Sequence, residues 1–174
     1  MEGECVEPVQ VSSFVVQYLE VFLHQSVVSL PQSTPGMSFS WKSPSLDFIK
    51  VNFDGAVFER TGEMGVGAVA RDSDGHCLAW LAHRVSCSEF GELAEAWAAR
   101  EAIQLALRKG WRLVVLEGNC AGLIQKLDIR LEDLSVIGPS VADIRLLARQ
   151  FLSCRFLDPA FGQCCYAFSR PVSI

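Results

Sequence analysis

The stretch Phe48-Ile-Lys-Val-Asn-Phe-Asp54-Gly-Ala56 decides the fold. Ile49, Val51 and Phe53 point one way, and Lys50, Asn52 and Asp54 the other. Period two marks a strand. Downstream, Met64 to Arg71 is a small, Gly-rich second strand, Asp74-Gly75 is a hairpin turn signal, and His76 to Arg84 is a third strand. These three read as an antiparallel meander. Gly91 to Arg108 is rich in alanine and leucine and reads as a helix, with Ser88 as N-cap and Gly110 as its stop. Leu113 to Leu116 is wholly apolar and reads as a buried parallel strand. Cys120 to Leu127 and Pro139 to Gln150 read as helices, and Phe151 to Leu157 as a last strand. After Asp158-Pro159 no period is visible. This order argues an α/β fold, a mixed sheet covered by helices.

Upstream, the character changes. Leu30 to Asp47 has the Pro, Gly and Ser content of a linker, and residues 13–29 show a helical period through Phe14, Tyr18, Phe22 and Val27. The expected division is therefore 1–47, an amphipathic helix plus linker, and 48–174, a folded domain with an atypical tail from about 158. The apolar run from Phe14 is broken by Gln17, Glu20, His24 and Gln25, short of the ~18 clean apolar residues of a membrane span. No basic secretory start is seen, so an intracellular protein, nuclear or cytoplasmic, is expected. A chain of 174 residues that is 50% hydrophobic can bury a core, and a net charge of −5 argues against a broad basic surface for nucleic acid. Seven cysteines form no C-x-x-C pair, so reduced thiols are expected rather than a zinc site.

Three positions carry chemistry. Asp54 is an aspartate on a strand whose other face is apolar; alone it also reads as a solvated or turn-capping residue before Gly55. Glu95 shares a helix face with Ala99, Ala102, Ile103 and Ala106. The helix dipole explains its place along the axis but not its face. A carboxylate among small apolar residues needs a cation, a donor or a proton. Leu116-Glu-Gly-Asn119 puts polar groups at the carboxyl end of a buried strand, a common place for a site. Such an oxygen-rich set suits a hard divalent cation. By contrast, Asp72 and Asp74 read as a tight turn, Gly65-Val66-Gly67 lacks the pattern of a phosphate loop, and Trp80, Trp97 and Trp111 read as core.

Trp41-Lys-Ser-Pro44, Ile49-Lys-Val-Asn-Phe-Asp54-Gly-Ala, Gly65-Val-Gly-Ala-Val-Ala-Arg71-Asp72, Ala94-Glu95-Ala-Trp-Ala98 and Val115-Leu-Glu-Gly-Asn119 follow one another at characteristic spacing. Together they resemble the ribonuclease H type-1 family, in its plant reverse-transcriptase-like version, over about Trp41 to Phe156. The resemblance implies a five-stranded mixed sheet whose first three strands are antiparallel. It also implies binding of RNA–DNA hybrids and magnesium-dependent cleavage of their RNA strand. Asp54 matches the first metal-ligating acid and Glu95 the second. Asn119 occupies the place of the third, where the family has Asp. The fourth acid belongs on a C-terminal helix that the tail after Asp158 does not resemble, and no histidine follows His83. The expected activity is therefore weak or absent. The alternative is a non-catalytic module of the same fold that binds a protein partner through its N-terminal helix.

Overall fold

The computed structural model describes residues 2–3, 41–58, 60–86, 92–128, 133–159 and 164–169. The chain divides into two compact units, residues 1–4 with 43–174, and residues 5–42. The helix expected over 13–29, most of the linker and the Ser88 cap lie outside the described residues.

The first unit contains strands β1 (Glu2–Gly3), β2 (Ile49–Phe58), β3 (Glu63–Arg71) and β4 (Cys77–Ser86), then helix α1 (Glu92–Arg108). Strand β5 (Leu113–Glu117), helices α2 (Ala121–Asp128) and α3 (Gly138–Ala148), and strands β6 (Ser153–Leu157) and β7 (Cys164–Ser169) follow. They form one mixed sheet in the order β1-β4-β3-β2-β5-β6-β7. The meander β2–β3–β4 is antiparallel, whereas β5 runs parallel to both β2 and β6. The expected five-stranded mixed sheet is present as β4-β3-β2-β5-β6. Two short edges extend it: β1 beside β4, and β7 antiparallel to β6. The tail therefore supplies a strand at 164–169, where the sequence showed no period.

Alternation assigns the two faces of the sheet. Val51 and Phe53, Val66, Ala68 and Ala70, Ala79 and Leu81, Val114 and Leu116, and Cys154 and Phe156 form one buried face. Helix α1 lies against it, packed on β2, β3 and β5 and beside α2 and α3. Its stripe Ala99, Ala102, Ile103 and Ala106 is fully buried, and alanines let the helix approach the sheet closely. Gly110, at φ +74°, ends α1, and the Trp111 N–H closes on the Ala106 carbonyl, as in a Schellman stop. The opposite face carries Lys50, Asn52 and Asp54. Among the described residues, no helix is long and apolar enough to cross a membrane. Cys120 and Cys154 are free thiols, but Cys77 is disulfide-bonded, which corrects the expectation of wholly reduced cysteines.

Candidate functional site

Strand pairing and one glycine bring the expected residues together. Parallel register sets Asn52 beside Glu117, where the β2–β5 pairing ends; Asp54 lies two residues further along β2, and Asn119 two residues past the end of β5. Gly55 faces α1. A Cβ there would stand 2.3 Å from the Ala94 carbonyl carbon and 2.7 Å from the Glu95 nitrogen, so only glycine admits the first turn of the helix. Likewise, a Cβ on Gly118 would strike the Phe53 ring at 2.4 Å, which fits the end of β5 tightly over β2. Asp54 and Asn119 are exposed, and Glu95 is half-buried between them and the core.

Glu95 accepts a hydrogen bond from the Gly55 N–H, but its Oε2 is buried without a hydrogen-bond partner. Burial and the nearby Asp54 charge together push its carboxyl up to about 7, against a smaller downward pull from the Gly55 N–H. Cys120 closes the other side. Burial raises its thiol, the Leu123 N–H pulls it partly back, and the charges of Glu95 and Glu92 raise it again. The residue after Asn119 thus feels Glu95, which ties the end of β5 to the carboxylate pair. Glu92, in the first turn of α1, is answered by Lys126 of α2 at 2.8 Å.

Two other acidic groups provide controls. Asp133 Oδ2 is also buried without a hydrogen bond, but it lies 4.0 Å from the Lys126 ammonium. Hydrogen bonds from Ser135 are the main reason its carboxyl sits below the usual range. Asp72, Asp74 and His76 gather ligand atoms within 4.8 Å in the β3–β4 turn, the one such trio among the described residues. Yet Asp72 accepts the N–H groups of Asp74 and His76 and meets the His76 ring at 3.3 Å. Gly75 takes φ +86° there. This is the tight turn read from the sequence, with the Asp72 oxygens already engaged. Glu95 differs from both. It has a buried oxygen with no donor and feels the charge of Asp54, and a divalent cation would relieve both.

Residues 52–157 match the family described as reverse transcriptase-like. The chain belongs to that family. Solved structures place its reverse transcriptase-like domain in the ribonuclease H fold. It is similar to RNase H1 of the halophilic archaeon Halobacterium salinarum, at 21% identity and a TM-score of 0.57, over 66% of this chain and 88% of that one. The N-terminal RNase H domain of a Mycobacterium tuberculosis protein gives 17% identity and a TM-score of 0.57, over 65% and 84%. LC11-RNase H1, solved in complex with an RNA/DNA hybrid, gives 18% identity and a TM-score of 0.54, over 63% and 83%. No curated protein is matched by the sequence.

Sequence reasoning missed a polar chain that links β2, β5 and β3. Lys50 Nζ donates to Glu117 Oε2 at 2.7 Å, and Asn52 Nδ2 to Glu117 Oε1 at 2.7 Å. Arg71 donates to Asn52 Oδ1 at 3.4 Å. The signal was a charge in each of two central strands, a Lys in β2 and a Glu closing the apolar run of β5. Asp158, the residue after β6, is buried and engaged, and β7 lies where the resemblance places a helix bearing the fourth acid.

Proposed function

We propose that this chain is a nucleic-acid-binding module of the ribonuclease H type, recognising RNA–DNA hybrids with a magnesium-dependent site whose turnover is weak or absent. The observation that carries this reading is the buried Glu95 Oε2, unpartnered beside Asp54. The likeness to a hybrid-bound RNase H1 supports the choice of ligand. Asp54 and Glu95 would hold the ion through charged oxygens, and Asn119 through a neutral amide oxygen. A bound magnesium supplies activation of water and stabilisation of the leaving oxygen in phosphodiester hydrolysis. The Gly55 N–H fixes the direction of the Glu95 carboxylate. With its pKa near 7, Glu95 becomes a charged ligand as pH rises through neutrality. Asn119 offers a dipole where a charge is required, so the transition state loses electrostatic support and the rate falls by orders of magnitude. With a net charge of −5, hybrid binding is weak and falls steeply with salt. The segment set apart from the domain is, in this reading, residues 5–42, because Glu2–Gly3 pairs in the domain's sheet.

Magnesium calorimetry on the wild type and Asp54→Asn, with hybrid cleavage run alongside, tests this. Binding heat that vanishes in the variant, with slow or no cleavage, is the expected result. No heat in either protein overturns the metal site. Rapid magnesium-dependent cleavage that is lost in Asp54→Asn overturns the weak turnover.

A further inference from the structure

The buried pair Lys50–Glu117 has no part in holding the sheet that an apolar pair would not fill. Lys50 is 3% exposed and Glu117 8%. Removing two charges from water costs several kcal/mol per ion, and well-packed apolar residues in such places are often neutral or stabilising. The pair's location is therefore informative. Asn52 and Glu117 stand side by side across the β2–β5 seam; Asp54 lies two residues, about 6.6 Å, further along β2, and Asn119 follows two residues after the end of β5. Both Glu117 oxygens are taken by donors of β2, the strand that carries Asp54. Arg71 extends the chain to β3 through Asn52. These side-chain hydrogen bonds add to the backbone ladder and fix the side chains of β2 and β5 to one another where the pairing of the two strands ends.

We infer that Lys50, Asn52 and Glu117 are positioning residues that hold Asp54 and Asn119 at a common level for a divalent cation. This rests on the metal-site reading above. Groups bonded directly to metal ligands are worth roughly 10–100-fold in metal affinity, and residues that act through the strands are expected at the lower end of that range.

The test is Mn2+ affinity by electron paramagnetic resonance, with urea denaturation alongside, on the full chain. The double variant Lys50→Met/Glu117→Leu removes both charges together. The expected result is retained folding with Mn2+ binding weakened roughly tenfold or more, while Lys50→Arg, which keeps the charge, stays close to the wild type. If the double variant does not fold, Asn52→Ala, which leaves the ion pair standing, is read instead and is expected to bind Mn2+ more weakly. Wild-type affinity in a folded double variant, or in Asn52→Ala, overturns the positioning role and leaves the metal site intact. A wild type that binds no Mn2+ overturns the metal site, and the positioning role with it.

Discussion

Two acidic regions of this molecule look alike in composition and differ in chemistry. The β3–β4 turn holds Asp72, Asp74 and His76 close together, and Asp72 is used by the turn's own N–H groups and the His76 ring. Desolvation is the largest single influence on Asp72 and pushes it up, but those bonds and the His76 ring together outweigh it and hold its carboxyl below the usual range. Where the β2–β5 pairing ends, fewer groups gather, yet Glu95 keeps a buried oxygen with no donor and a carboxyl pushed up to about 7. Proximity of ligand atoms is thus a poor guide to a site. What matters is whether the fold has already satisfied them.

The contrast has consequences that mutation can break. The largest effect is expected from Gly55→Ala. Its methyl would meet backbone of α1 rather than a flexible side chain, so about 3 kcal/mol or more of stability is lost by thermal denaturation. Magnesium heat should vanish with it. A variant of wild-type stability would show that α1 does not hold Glu95 against β2.

Next comes the protonation of Glu95. Its folded pKa lies above the ordinary 4.5, so the folded state binds the proton more tightly. The resulting stabilisation is full below pH 4.5 and is lost as pH rises through 7. Glu95→Gln should match the wild type in urea at pH 4. At pH 8 it should exceed the wild type by about 2 kcal/mol. Parallel stability curves at both pH values would show that Glu95 is not strained.

Asn119→Asp sharpens the comparison by adding a charge at the exposed end of β5. Magnesium affinity is expected to rise roughly tenfold by calorimetry, as an anionic oxygen replaces a neutral one. Unchanged affinity would remove position 119 from the site. The smallest effect is expected from Asp72→Asn: a slight loss of turn stability in urea and an unchanged magnesium isotherm. A lost isotherm would move the metal site to the turn.

Much of this was legible in the sequence, for identifiable reasons. The alternation over 48–56 gave β2, and the placement of Ala99, Ala102, Ile103 and Ala106 gave the buried stripe of α1 and exposed Glu95 as an anomaly on it. Both are properties of a single element. What escaped depends on which elements meet. Cys164-Cys-Tyr-Ala-Phe-Ser169 carries no charge and no alternation, and it becomes a strand because β6 offers it an edge. Lys50 on its own reads as the solvated side of a strand, and only the parallel register of β5 reveals its partner. Gly55 was read merely as the residue after Asp54; the close approach of α1 gives it its role.

The parallel seam between β2 and β5 also bears on how the molecule comes into being. The meander β2–β3–β4 is closed by short turns, whereas Lys50 and Glu117 are 67 residues apart in the chain. Closing so long a loop is entropically costly and slow compared with forming hairpins. As the chain leaves the ribosome, the hairpins can form while β5 is still unmade. Asp54 then waits on a finished strand for Glu95 and Asn119, and the three come together only as the parallel strands dock.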